Sequence, residues 1–163
     1  MIPRLVREED WALTRDARLR ALADSPDAFR SKVADESGFD EAVWRRRAAP
    51  SKRQVWFAVE KDGRFVGVVR IAFAEPDPGL ASLFSMWVEP ESRRVGIGRL
   101  LVEAAVGWAA DRGAHSVELE VNEAVASARG LYEACGFVPT GRTRLLSADD
   151  GTTAIQMVRD IYG

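Results

Sequence analysis

Ser85-Met86-Trp87-Val88-Glu89-Pro90 followed by Arg93-Arg94-Val95-Gly96-Ile97-Gly98-Arg99 is the stretch on which the fold turns. Its first part reads as the end of an apolar strand stopped by Pro90. From Ile97 onward, Ile97, Leu100, Leu101, Ala104, Ala105 and Trp108 recur at helical spacing, which predicts a helix with that face buried. A strand, a glycine-rich turn and a helix start aim unpaired backbone N–H groups and the positive end of the helix dipole at one point. A pyrophosphate suits such a point. Gly96 and Gly98 keep a Cβ out of the anion's way, while Arg93, Arg94 and Arg99 add charge-assisted bonds. The residues from Arg93 to Arg99, with Val95 and Ile97 contributing backbone, are therefore a candidate phosphate cradle. An Arg-rich turn opening an ordinary helix would look the same on a glycine pair alone. A Walker loop would require a lysine that is absent, and a dinucleotide fingerprint would require glycine where Leu101 stands.

Outward from this turn the pattern is that of a mixed α/β domain. Upstream, Gln54 to Glu60 and Arg64 to Ala74 read as strands joined by the tight turn Lys61-Asp62-Gly63. After a turn at Pro76-Asp77-Pro78-Gly79, Leu80 to Glu89 completes an antiparallel meander. Further upstream, Ile2 to Val6 reads as a short strand, and Asp10 to Ala23 and Phe39 to Ala49 as helices ended by Pro26 and Pro50. Downstream, Ser116 to Asn122 alternates Val117, Leu119 and Val121 with Glu118, Glu120 and Asn122. A helix over Ala124 to Ala134 ends at Gly136, and Phe137 to Leu146 and Thr152 to Asp160 form a last hairpin. The order is β-α-α-β-β-β-α-β-α-β-β, without repeats or long linkers, so residues 1–163 are expected to form a single domain.

Composition narrows the function. The 163 residues carry Lys+Arg 23 against Asp+Glu 25, a net charge of −2 that is too little positive for a protein whose main work is binding nucleic acid. No run of apolar residues is long enough for a membrane span, and the first ten residues lack a signal-peptide core, so no membrane association and a cytoplasmic location are expected. The single cysteine, Cys135, and single histidine, His115, exclude disulfides and sites built on several Cys or His ligands, and no metal is expected. A bias toward Arg over Lys fits a GC-rich bacterial source.

Two blocks carry a family resemblance. Arg93-x-x-Gly96-x-Gly98 behind the strand Ser85 to Pro90 resembles the acetyl-coenzyme A motif of the GNAT superfamily of N-acetyltransferases. Leu119-Glu120-Val121-Asn122 with Leu131-Tyr132-Glu133-Ala134-Cys135-Gly136-Phe137 is similar to its other core motif. The resemblance implies a seven-stranded, mostly antiparallel sheet splayed at its centre with helices on both faces. It implies direct transfer of an acetyl group from acetyl-coenzyme A to a primary amine, with an acyl-coenzyme A-binding module without turnover, or transfer of a longer acyl group, as alternatives. By similarity the backbone N–H of Met86 meets the acetyl carbonyl, Val88 pairs with pantetheine, and Tyr132 protonates the leaving thiolate. The asparagine usual seven residues before that tyrosine is Val125 here, so its contact with pantetheine is either lost or taken over by Asn122 or Ser127.

An ammonium cannot attack until it loses a proton, so a base is required. Glu120, on the polar face of its strand, is the first candidate, ahead of Glu89 and Asn122; relatives with a glutamate on the strand before the turn carry it where Ser82 stands. The acceptor, a small molecule or a peptide amine, is expected between the first helices and the last hairpin, against Phe29, Trp44 and Trp87. Trp-rich strands and the last hairpin offer a homodimer surface. His115 reads as a loop residue, Cys135 as packing, and Arg45-Arg46-Arg47 as a solvated helix end.

Overall fold

The computed structural model describes residues 1–26, 32–74 and 79–161. In chain order these form β1 (Arg4–Leu5), α1 (Trp11–Asp24), α2 (Val33–Glu36), α3 (Glu41–Ala48), β2 (Gln54–Lys61), β3 (Arg64–Phe73), β4 (Leu80–Val88), α4 (Ile97–Asp111), β5 (Ser116–Asn122), α5 (Ala126–Ala134), β6 (Val138–Leu145) and β7 (Thr153–Asp160). The sequence order holds, with α2 as an additional single turn. Local chemistry sets the boundaries. Asp40 accepts a hydrogen bond from the Val43 N–H at 3.1 Å and so caps α3. Asp62 and Gly63 both take positive φ, 53° and 77°, the conformation that closes a two-residue hairpin between β2 and β3.

The seven strands lie in the order β1-β2-β3-β4-β5-β7-β6. Every pairing is antiparallel except that of β4 with β5, which is parallel and joins only Leu80, Ala81 and Ser82 to Ser116, Val117 and Glu118. Beyond those three pairs β4 and β5 have no register with each other, so the sheet splays at its centre. The cause is visible in β4. Val68 faces Trp87 and Arg70 faces Phe84, which leaves Ser85 and Met86 opposite Val69 alone. This is a β-bulge, with Ser85 at φ 56°, and a bulge bends its strand away from the plane it left.

Helices cover the two faces unequally. On one face α4 and α5 pack on Val55, Val69, Ile71, Ala81, Leu83, Val117, Leu119 and Val121. On the other, Ala17 and Ala21 of α1 and Ala48 of α3 pack on Trp56, Ala58, Phe65, Val68 and Trp87. Trp56 and Trp87 are thus interior, which removes them from the homodimer surface expected from sequence. The buried side of α4 is Ile97, Leu101, Val102, Ala105, Val106, Trp108 and Ala109, while Leu100 is exposed. The predicted stripe was therefore rotated about the helix axis: apolar spacing alone cannot say which flank of a broadly apolar helix meets the sheet. Two glycines let α4 dock closely. A Cβ on Gly67 would stand 2.9 Å from Ile97 Cγ2 and 3.0 Å from Leu101 Cδ1, and one on Gly98 would stand 3.0 Å from Leu131 Cδ2 of α5.

Candidate active site

The splay leaves one edge of β4 open. The N–H of Glu89 donates to Val66 C=O at 2.8 Å and so points toward β3. Successive N–H groups of an extended strand point to alternate edges, so that of Val88 points into the gap beside β5, and the bulge leaves the Met86 backbone with no partner residue on β5. The side chains of Met86 and Val88 pack on the cluster that contains Tyr132, on the α4 face. Past Glu89 the chain makes a short 3-10 turn and enters the glycine turn. Arg94 and Gly96 both have positive φ, 68° and 91°, and alternate with Val95. That alternation turns consecutive N–H groups to one side and makes an anion-binding nest. The first bond of α4 runs from Leu100 N–H to Gly96 C=O at 3.1 Å, so the amides of Gly96, Ile97, Gly98 and Arg99 have no helical acceptor. A Cβ on Gly96 would meet nothing within 4 Å, so the space over the turn is open.

The three arginines of the turn differ. Arg94 and Arg99 are exposed and make no hydrogen bond or ion pair with the described residues. Arg93 is committed elsewhere: its Nε donates to Val88 C=O at 2.8 Å and its Nη2 to Asp24 Oδ2 at 2.7 Å. It ties the turn to the end of α1 and holds β4's last carbonyl, a bracing role that the sequence reading did not contain. Gly98 also has a second reason to be glycine, its contact with Leu131.

Tyr132 projects from α5 into the core, with its ring edge-on to Phe137 at 6.0 Å between centroids. Burial, with the neighbouring Cys135, pushes its hydroxyl well above the ordinary phenol value. That hydroxyl makes no hydrogen bond with the described residues. Asn122 ends β5, where its Oδ1 accepts the Ala124 N–H at 2.9 Å and shapes the entry to α5. Ser127 is exposed on α5, and Val125 is the residue preceding that helix.

Across the gap, β5, β7 and β6 present a polar face on the side opposite α4. Glu118 accepts from Ser82 Oγ at 3.1 Å and from Gln156 Nε2 at 3.1 Å. A carboxylate therefore does come to Ser82, supplied by the neighbouring strand. Glu120 is exposed and receives the Arg144 guanidinium on both oxygens, at 2.8 and 3.3 Å. With Arg142, Thr143, Arg144 and Gln156 it lines a hollow of about 350 Å³. Glu89 is unsuited to proton transfer: it is buried and accepts from Arg20 at 3.2 Å, Arg64 at 2.7 Å and Ser92 at 3.0 Å.

Phe29 lies outside the described residues. Trp44 is buried under Phe39 and Arg47, and Trp87 is buried with its Nε1 donating to Asp24 at 2.9 Å. Neither borders the hollow at Glu120, nor a second hollow of about 270 Å³ that Trp56 lines with Arg18, Arg47, Gln54, Arg70 and Ser85. Sequence reasoning missed this group. One signal was present: Arg70 stands alone among Val68, Val69 and Ile71 in an otherwise apolar strand.

Comparison with known proteins agrees with this geometry. The sequence model of the acetyltransferase (GNAT) family matches residues 18–137. A mycothiol acetyltransferase of Thermomonospora curvata is 30% identical over 118 residues, 72% of this chain and 37% of that protein. The chain spans less than half the length of the mycothiol acetyltransferases it matches. Among solved structures, an acetyltransferase of the GNAT family from Streptococcus pneumoniae superposes with a TM-score of 0.81 at 22% identity, over 99% of both chains. Salmonella typhimurium yncA, solved with its cofactor acetyl-CoA, superposes with a TM-score of 0.76 at 16% identity over 100% of this chain and 95% of that one.

Proposed function

The chain belongs to the acetyltransferase (GNAT) family, and from that premise we propose that residues 1–163 act as one catalytic domain that moves an acetyl group from acetyl-coenzyme A to a primary amine. The observation that carries the reading is the coincidence of two unpaired backbone features: the open edge of β4 at Met86 and Val88, and the free amides at the start of α4. The residues suit the coenzyme. Amides from Arg94 to Arg99, with the Arg94 and Arg99 side chains, would hold its phosphates. Met86 and Val88 would pair with the pantetheine arm, as a missing strand would. Asn122 and Ser127, beside Val125 at the start of α5, are the nearest polar groups for the rest of that arm.

Acetyl-coenzyme A supplies an acetyl group activated as a thioester. The amine nitrogen bonds to the carbonyl carbon, the C–S bond breaks, and the sulfur leaves with a proton. Met86 N–H stabilises charge on the carbonyl oxygen by donating to it. Tyr132 donates to the departing sulfur and recovers its proton from the nitrogen, which sheds a second one on becoming an amide. Glu120, on the open polar face, takes the proton from the acceptor's ammonium, and Arg144 sets the orientation of its carboxylate. The test is calorimetric binding of acetyl-coenzyme A together with thiol release across a panel of amines. Binding with release is expected, and binding without release for any amine would leave a coenzyme-binding module instead. Gly96→Glu, which puts a side chain and a negative charge over the turn, should abolish binding while the circular dichroism spectrum stays native.

A further inference from the structure

The hollow bordered by Arg18, Arg47 and Arg70 lies on the α1 and α3 face of the sheet, directly at the β4 bulge. Three guanidinium groups surround it, and among the described residues one carboxylate answers two of them. That carboxylate is Glu36, buried at the end of α2, which takes Arg18 at 3.0 and 3.1 Å and Arg47 at 2.7 Å. Arg70 has no carboxylate among the described residues. Its Nη1 donates to Gln54 Oε1 at 2.7 Å and its plane lies over Phe84 at 4.5 Å. Burial, and then repulsion from Arg18 and Arg47, lower its proton affinity. Trp56, 5% exposed, also borders the hollow, and its indole N–H has no hydrogen-bond partner. Half-buried positive charge without a counter-ion, beside an unused buried donor, is costly unless an anion completes it.

The location gives that anion a role. Arg18 Nη1 also reaches Ser85 Oγ at 3.4 Å, and Ser85 is the residue before Met86, whose N–H is proposed above to meet the acetyl carbonyl. The rim of the hollow is thus one residue from the proposed place of the acetyl carbonyl. We propose that this hollow holds the carboxylate of the acceptor, so that the amine acetylated belongs to a small amino acid; the inference rests on the acetyl transfer argued above. Arg70, with Arg18 and Arg47, would bind and orient the carboxylate, and the Gln54 amide would complete its hydrogen bonds. The carboxylate takes no part in the bond changes.

Two measurements test this. The first is thiol release with glycine, alanine and glutamate against their α-carboxamides. The second is calorimetric binding of the corresponding N-acetyl amino acids and N-acetyl carboxamides to protein loaded with coenzyme A. Each acid should outperform its amide by about 10- to 100-fold, the worth of hydrogen bonds to a charged group. Arg70→Gln should erase that preference by raising KM for the acids far more than for the amides, with coenzyme A affinity unchanged, and Arg70→Lys should keep part of it. Gln54→Leu, which removes no charge, gives a second reading should Arg70→Gln melt early. Equal use of acids and amides, or equal damage to both in Arg70→Gln, overturns the inference and leaves acetyl transfer standing. Peptides preferred over free amino acids overturn it as well, as does inorganic phosphate displacing the acids at equal concentration. Arg70-dependent binding of the N-acetyl acids without any thiol release would keep the anion site and remove the transferase reading.

Discussion

At the scale of single residues, Tyr132 and Glu120 carry the sharpest predictions because their environments differ so much. Tyr132 is walled in, so Tyr132→Phe keeps the ring contact with Phe137 and deletes only the hydroxyl. Turnover should fall by roughly ten- to a thousandfold, at or below what a positioned acid supplies, with coenzyme binding by calorimetry unchanged. A loss of binding equal to the loss of turnover would make the residue packing and not chemistry. Glu120 stands in solvent beside Arg144. Glu120→Gln should lose turnover near neutral pH and recover part of it as pH rises, because the amine then sheds its proton unaided; a deficit flat across pH would assign positioning. The placement of Glu120 on the polar face of β5 and of Tyr132 on α5 was legible in the sequence, since each sits in a motif of fixed spacing. The bracing of Arg93 by Asp24 was not, because the partners are 69 residues apart and meet only when α1 is laid on the sheet.

Element boundaries were legible because local chemistry sets them: the Asp40 cap, the Asp62-Gly63 turn, and the alternation of β5 depend on neighbours in sequence. The bulge at Ser85 was less so. Nothing in Phe84-Ser85-Met86 announces a positive φ, and the distortion shows only when β4 is laid beside β3 and two residues stand opposite Val69. The docking glycines belong to this scale too. Gly67→Ala would set a methyl against two side chains of α4 at 2.9 and 3.0 Å, an overpacking that costs about 1–3 kcal/mol and should lower the urea midpoint accordingly. Gly98→Ala presses on Leu131, a movable side chain, so its stability cost should be smaller. Its effect on turnover should be the larger one, because Leu131 precedes Tyr132 on α5 and a shift there moves the hydroxyl. Thermal melts and kcat measured on both variants check the contrast, and it fails if Gly98→Ala melts early at full activity.

For the molecule as a whole, the outer edge of the sheet and the seating of α1 decide behaviour. Strand β6 is exposed along its entire length, yet Pro139, the broken register between Pro139 and Thr143, and Arg142 and Arg144 all oppose pairing with another strand. Light scattering is accordingly expected to give a monomer mass at every concentration, and a mass that doubles would return the hairpin to the role of dimer surface. Helix α1 supplies Arg18 to the anion hollow and is held at both ends by aspartates. At its start Asp10 takes Arg4 at 2.8 and 3.1 Å. At its end Asp24 takes Trp87 at 2.9 Å and Arg93 at 2.7 Å. The hydrogen bonds from Arg4 hold Asp10 below the ordinary aspartate range. For Asp24, burial pulls upward, but the bonds from Trp87, Ser25 and Arg93 outweigh it and the net shift is also downward. A carboxylate whose folded value is depressed stabilises fully above its unfolded value, near 3.8 here, and that stability drains away as pH falls through the lower folded value. Urea midpoints should therefore be level through the neutral range and drop below about pH 4. Asp24→Asn should start less stable at neutral pH and show a shallower drop, since one of the two titrating ties is gone. Because Asp24 also anchors Arg93 behind the glycine turn, the same variant should weaken acetyl-coenzyme A binding at neutral pH, and an unchanged Kd would mean that the turn holds its shape without α1.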